Sequence, residues 1–297
     1  MRKLLMIALC LPLGLLAGCS AGTEAAQTAA ASQGAAASGS QAAAETADQA
    51  ESGQTEVIVF AAASMQETLT EIQELYKVQA PDTEVVCNFD SSGTLKRQIE
   101  EGAPCDVFIS AAQKQMNQLD DGEDGEEGLH LIDPATRVNL LENKVTLVVP
   151  EGTPAGITIF EDLADKLKND EILVAVGNSD VPVGQYTQRI FEFFGLDEQR
   201  LADAGRLSYG TNVKEVTTQV SENSVSCGII YATDAFSADL EIVAEATPEM
   251  CGQVIYPAAV LEAAQDKAAA EALLDYLQTP EAMAVFESVG FSPAVQE

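Results

Sequence analysis

Residues 56–62, EVIVFAA, run straight into Ala63-Ser64-Met65-Gln66-Glu67, and Met65, Leu69, Ile72, Leu75 and Tyr76 then recur at helical spacing. The first run is β-branched and aromatic, which suits a pleated, half-buried strand. The second carries the 3.6-residue apolar period of a helix. Ser64 with Glu67 three residues on reads as a capping box between them. The unit repeats: residues 83–89, TEVVCNF, lead into Ser91-Ser92-Gly93-Thr94 and a short helix with Leu95 and Ile99. Residues 106–110, DVFIS, precede a helix near 113–119. Strands alternating with helices predict a parallel sheet with helices packed on its faces.

Further along, residues 144–150 read as a strand and as the crossover into a second lobe. Residues 172–176 enter Asn178-Ser179-Asp180-Val181-Pro182-Val183-Gly184, where Pro182 suits the first turn of a helix because its missing N–H would be unpaired there anyway. Tyr186, Ile190, Phe193 and Phe194 give that helix its apolar face, and Gly195 ends it. Asn212, with Glu215 three residues on, caps a helix carrying Val216 and Val220. Residues 227–231, CGIIY, read as a buried strand, residues 242–243 and 254–256 as two more, and 264–277 and 280–289 as closing helices. The expected fold class is α/β, in two lobes that each hold a mixed, mostly parallel sheet flanked by helices. Lobe I spans 56–141 and 236–297, and lobe II spans 142–235.

The amino terminus reads differently. Arg2 and Lys3 precede an apolar run over 4–16 that is too short for a comfortable membrane span, and it closes on Leu16-Ala17-Gly18-Cys19. This order resembles the lipobox of bacterial lipoproteins. The resemblance makes 1–19 a cleaved signal peptide and Cys19 the lipid-bearing residue. Residues 20–55 contain no Leu, Ile, Val, Met or aromatic residue. With no apolar surface to offset the entropy of ordering, the stretch reads as a disordered tether.

The chain has 47 Asp and Glu against 15 Lys and Arg, a formal charge of −32. That argues against nucleic acid as a partner, and it means any anion site must be built locally. Cys10 leaves with the signal peptide. Cys87, Cys105, Cys227 and Cys251 form no C-x-x-C pair and are expected by default as buried free thiols, while an exported context also permits disulfides that sequence alone does not assign. The acidic run 120–128, DDGEDGEEG, fails calcium-loop spacing because Gly122 and Leu131 stand where ligands should, so it reads as a solvated loop. One histidine, His130, follows it. An exported hydrolase would need His130 to reach a serine, and no Gly-x-Ser-x-Gly elbow or phosphate loop is present.

Four strand-to-helix junctions thus place helix N-termini at Ser64, Ser92, Val183 and Val213. Each offers unpaired N–H donors and about half a positive charge, a ready anion site. In open α/β sheets, ligands lie beyond the carboxyl ends of the strands. Taken singly, Ser64 and Ser92 read as helix caps and Tyr231 as a core residue. Val183 and Val213 can offer only backbone N–H groups.

Phe60-Ala61-Ala62-Ala63-Ser64, Phe89-Asp90-Ser91-Ser92-Gly93-Thr94-Leu95, residues 97–104 (RQIEEGAP) and Asp106-Val107-Phe108-Ile109-Ser110-Ala111 together resemble the molybdate-binding proteins of ABC transporters. Val181-Pro182-Val183-Gly184, Gly228-Ile229-Ile230-Tyr231 with Asp234-Ala235, Tyr256-Pro257 and residues 286–291 continue the likeness across nearly all of 57–291. The resemblance implies the two-lobed, type II periplasmic-binding-protein fold with its ligand in the cleft. It implies a cargo of molybdate or tungstate, with no cofactor and no catalysis. Ser64, Ser92, Val183, Val213 and Tyr231 are the ligand positions it carries over, with Ser91 an alternative to Ser92 in the same loop. Valine at 183, where the family often has alanine, is expected to put a larger side chain against the site. Implied partners are an ABC permease and its ATPase, reached from outside the cytoplasm by a lipid-anchored monomer. The same fold binding sulfate or another tetrahedral oxyanion is the alternative.

Overall fold

The computed structural model describes residues 54–121, 128–152 and 156–295. The expected signal peptide, Cys19 and nearly all of the expected tether lie outside the described residues, as do residues 122–127 of the acidic run.

In chain order the elements of the first sheet's opening half are β1 (Thr55–Ala62), α1 (Gln66–Gln79), β2 (Thr83–Asp90), α2 (Ser92–Glu100), β3 (Val107–Ile109), α3 (Gln113–Leu119) and β4 (Val138–Asn143). The second sheet and its helices comprise β5 (Val145–Val149), α4 (Phe160–Lys168), β6 (Val174–Gly177), α5 (Pro182–Phe193), α6 (Glu198–Asp203), β7 (Leu207–Gly210), α7 (Val213–Ser221), β8 (Cys227–Tyr231), α8 (Ala232–Ser237) and β9 (Glu241–Glu245). The chain then returns through α9 (Pro248–Cys251) to β10 (Val254–Val260), α10 (Lys267–Leu277), α11 (Pro280–Ser288) and β11 (Ser292–Pro293). Strand order is β11-β4-β10-β3-β1-β2 in the first sheet and β7-β6-β8-β5-β9 in the second. β1 is parallel to β2 and β3, and β6 is parallel to β7 and β8. β10 and β5 run against their neighbours. This is the two-lobed α/β architecture expected, with each sheet mixed but not mostly parallel: β10, β11, β5 and β9 all pair antiparallel, because the chain returns through them after each run of parallel strands.

Burial explains why the strand runs look as they do. All residues of β3, β5 and β8 are buried, so covered on both faces they read as continuous apolar segments. β1 shows the two-residue alternation. Val57, Val59 and Ala61 join the large core that runs through both lobes, while Phe60 packs with Leu95, Phe108, Met116 and Leu119 on the opposite face.

Three boundaries differ from expectation. β1 begins at Thr55, which pairs with Thr83, so the ordered domain starts inside the expected tether. β4 stays in the first sheet through Asn143, and only Lys144 separates it from β5, so the crossing falls there and not at 142. β9 pairs with β5, so the return to lobe I comes after Glu245 and not at 236. β4, β7, α4 and α6 were not anticipated. β4, VNLLEN, mixes two asparagines and a glutamate into its run, and β7, LSYG, has four residues only, so neither shows a clear strand pattern. Among the described residues no helix is long and apolar enough to cross a membrane.

Candidate functional site

The ends of six strands converge. Ala62 ends β1 and Ala63 and Ser64 follow it, Ser91 and Ser92 follow β2, and Ala111 follows β3. From lobe II come Val181 and Pro182 after β6, Val213 after β7, and Tyr231 at the end of β8. These ten residues line one narrow cavity of about 10 Å³, counted as room for the centre of a water-sized sphere. That is about the space of one water, far below the roughly 300–1,000 Å³ of drug-sized sites. The walls therefore exclude drug-sized ligands. No charged side chain lines it.

Ser64 is buried, but it does not cap α1. Residues Ala63–Met65 form one 3₁₀ turn, Met65 occupies the N-cap position, and no side chain caps the helix. The expected capping box is absent because both its members bond elsewhere. The Ser64 hydroxyl lies 2.9 Å from the Tyr256 hydroxyl, and the Glu67 carboxylate accepts from Lys214 at 2.7 Å. The hydroxyl so released from capping sits on the cavity wall.

The Ser91-Ser92 pair divides its work. Ser91 is the N-cap of α2, and its Oγ accepts from the Thr94 N–H at 3.1 Å and donates to Thr94 Oγ1 at 3.0 Å. Ser92 is fully buried, and its Oγ accepts from the Ala111 N–H at 2.9 Å. Ser91 has spent its proton locally, and Ser92 has filled a lone pair and kept its proton. Of the two, Ser92 is the free donor.

In lobe II the caps form as the sequence suggests. Pro182 is the first residue of α5, and the Asn212 side chain accepts from the Glu215 N–H at 3.0 Å. Helix geometry leaves the first N–H groups of α5 and α7 without intrahelical acceptors. Val183 is a partial correction. It is not among the residues lining the cavity, where its neighbours Val181 and Pro182 are found. Its fully buried side chain packs towards Gly177, where an added β-carbon would meet Val183 Cγ1 at 3.0 Å. The larger side chain therefore does not narrow the site as its size suggested. Only the Val183 backbone can serve the cavity.

Tyr231 is buried and stacks edge-on to Tyr186 and Tyr256 at 6.4 and 5.8 Å; its hydroxyl lies near that of Tyr256 but makes no hydrogen bond of full geometry with any group of the protein. Burial above all, with Tyr256, Tyr186 and Asp234 nearby, pushes its pKa well up. The group therefore stays protonated at neutral pH, a donor without an acceptor. A buried polar group left unpaired costs about 1–3 kcal/mol, so such an orphan points to a missing ligand.

Three residues near the site carried no assigned role at the sequence level. Asn143 donates to Tyr256 Oη at 3.2 Å and to Thr233 Oγ1 at 3.0 Å. Asp234, fully buried, lies 3.1 Å from Lys214 Nζ, which also holds Glu67 of the other lobe. The angles at the Asp234 oxygens fall short of a full hydrogen bond, yet at 3.1 Å Lys214 acts on them by charge and by a bent hydrogen bond together. Burial raises the Asp234 pKa to about 6 against the opposing pull of Lys214. Tyr256-Pro257 and Asp234-Ala235 belonged to the recognised pattern, yet nothing local could reveal what their side chains would meet.

The remaining candidates lie away from the cavity. His130 is exposed, and its Nδ1 approaches Asp121 at 3.9 Å. Cys87, Cys105, Cys227 and Cys251 are free thiols, all buried except Cys87, which is half-buried. Burial pushes the Cys87 and Cys227 thiols up to about 12.

The model of one family, described as bacterial extracellular solute-binding protein, matches residues 57–292. The molybdate-binding protein ModA of Escherichia coli is 33% identical over 252 residues, covering 83% of this chain and 92% of that protein. ModA of Haemophilus influenzae is 31% identical over 243 residues, covering 81% and 91%. The solved periplasmic molybdate-binding protein of Azotobacter vinelandii aligns with a TM-score of 0.68 at 21% identity, covering 80% of this chain and all of its own. At that identity the likeness is one of fold.

Proposed function

The chain belongs to the bacterial extracellular solute-binding protein family, and on that premise we propose that it captures molybdate or tungstate between its lobes and presents it to the permease and ATPase of an ABC importer. The observation that carries this reading is the Tyr231 hydroxyl, a buried donor with no partner on the wall of a small neutral cavity. Around it the hydroxyls of Ser64 and Ser92 and the first N–H groups of α5 and α7 supply donors from both lobes. Hydrogen bonds to a charged group contribute about 1.5–3 kcal/mol each, so several neutral donors can hold a dianion without a lysine or arginine. The molybdate-binding relatives support this choice of cargo.

Because donors come from both lobes, cargo binds best when the lobes meet. A ligand shifts that equilibrium only by its differential affinity for the closed form. The lipobox at Leu16–Cys19 supports a lipid anchor on Cys19, with residues 20–53 as the tether to the ordered domain. Bound CH₂ groups contribute about 0.8 kcal/mol each to such an anchor.

Isothermal titration of the soluble domain with molybdate, tungstate, sulfate and phosphate tests the reading. Molybdate and tungstate should bind and phosphate should not. Tighter sulfate than molybdate binding would reassign the cargo within the same fold. Tyr231→Phe should weaken binding by about 1–3 kcal/mol. Unchanged affinity in that variant would remove the hydroxyl from the site.

A further inference from the structure

The second lone pair and the proton of Ser64 are governed by residues that never reach the cavity. Asn143 is the last residue of β4, at the crossing from lobe I to lobe II. Its Oδ1 accepts from the Lys144 backbone N–H at 2.8 Å. That bond fixes which end of the amide is oxygen, because a backbone N–H can only donate. The other end, Nδ2, then donates to Tyr256 Oη at 3.2 Å and to Thr233 Oγ1 at 3.0 Å, one proton to each.

Tyr256 therefore accepts from Asn143. Its ring is buried between Tyr231 and Phe291, at 5.8 and 5.2 Å. The hydroxyl keeps its proton, and its other well-formed bond is to Ser64 Oγ at 2.9 Å, where distance alone allows either group to donate; the nearby Tyr231 hydroxyl is itself protonated and makes no full bond. The proton goes there. Ser64 then accepts from Tyr256, and its own proton has no claimant but the cavity. The polarity runs one way through four groups: Lys144 N–H to Asn143, Asn143 to Tyr256, Tyr256 to Ser64, Ser64 to the cavity.

We propose that Asn143 and Tyr256 are positioning residues for cargo recognition, which hold the Ser64 hydroxyl as an obligate donor and so favour an oxyanion without protons over one that carries a proton. This rests on the oxyanion-binding reading above. It goes further by assigning a role to two side chains outside the cavity. A bare oxyanion offers only acceptors and satisfies Ser64. A protonated one that turned its proton to the remaining lone pair of Ser64 would leave the Ser64 proton without its acceptor.

The test is a double-mutant cycle read by titration with molybdate and with phosphate at pH 7.5. Tyr256→Phe removes the donor to Ser64 with little change of shape. It should weaken molybdate binding at least about tenfold, and it should narrow the ratio between molybdate and phosphate affinities. In the Ser64→Ala background the same substitution should add less than about twofold, because its effect passes through Ser64. Asn143→Asp is the second variant, for the case in which Tyr256→Phe fails to fold. A carboxylate there accepts from Tyr256, turns the relay around and draws the Ser64 proton away from the cavity. Plain charge repulsion by that carboxylate would persist in the Ser64→Ala background, whereas reversed polarity would not.

Equal losses in the two backgrounds overturn the proposal, as does a Tyr256→Phe variant that binds like the parent. Should the parent bind no tetrahedral oxyanion, the functional reading fails and the proposal falls with it. A parent that binds molybdate and is weakened by Ser64→Ala but not by Tyr256→Phe refutes the relay and leaves the reading standing.

Discussion

Gly93 of lobe I and Asp180 of lobe II approach so closely that a β-carbon on Gly93 would overlap the Asp180 carbonyl oxygen. Gly93 lies in the first turn of α2, beside Ser92 of the cavity wall, and Asp180 lies in the loop that opens α5. One turn further along α2, Arg97 pairs with the Asp180 carboxylate at 2.7 Å. The two lobes therefore meet at the edge of the cavity through a backbone contact and an ion pair.

These two contacts should differ in weight. Gly93→Ala should oppose lobe closure, because a backbone carbonyl cannot swing aside as a side chain can. We expect at least about tenfold weaker cargo binding, about 1.4 kcal/mol, with no comparable loss of melting temperature in the unliganded protein. Arg97→Ala breaks an ion pair whose side chains are about half exposed, and such pairs contribute only about 0.2–1 kcal/mol. Titration of both variants would refute the closure argument if Arg97→Ala proved the more damaging.

Ser91 and Ser92 should separate stability from binding. Ser91→Ala removes the cap of α2 and should lower stability by about 0.5–2 kcal/mol, with a small change in affinity. Ser92→Ala leaves the cap in place and should weaken cargo binding by about 1–3 kcal/mol. Thermal melts without cargo, set beside titrations, would expose a reversed assignment at once.

Asp234 should imprint a pH dependence on stability. Its pKa stands at about 6 in the folded protein, above its ordinary value of 3.8. The folded state thus holds the proton more tightly, and the associated stability is fully present below about pH 3.8 and is lost as pH rises through 6. Lys214 and Glu67 face this carboxyl, with Tyr256 nearby, and Lys214 remains charged throughout that range. Asp234→Asn cannot titrate, so its melting temperature should gain on the parent's between pH 4 and pH 7. A constant difference across that range would show that Asp234 does not titrate there.

Cys19 offers a prediction from sequence alone. Cys19→Ala should leave unprocessed precursor or release protein into the medium, as read by fractionation and the mass of the mature chain. Normal processing with full membrane retention would remove the lipid anchor from the account.

Much of this protein was legible along the chain. The alternation at 56–119 sufficed for the α/β class, because strand and helix periods are local properties of a dozen residues. Pro182 and the Asn212 cap formed as read, since a cap and its N–H donor lie within three residues of each other. All four predicted helix starts fell on or beside the cavity, as strand ends in a parallel arrangement must share one side of the sheet.

Tertiary structure decided the rest, wherever a polar group had both a near and a distant partner. Ser64 and Glu67 had the spacing of a capping box, yet Ser64 bonds to Tyr256, 192 residues away, and Glu67 bonds to Lys214 of the other lobe. Ser91 and Ser92 both suit the loop in sequence and differ because Ser91 caps α2 while the Ala111 N–H comes to Ser92. The return to lobe I moved past 236 because β9 pairs with β5; Ile242-Val243 read as a strand, but nothing local shows which sheet it joins. A sequence states which hydrogen bonds each side chain can make, and burial against distant residues selects among them, because only there is an unmade bond costly.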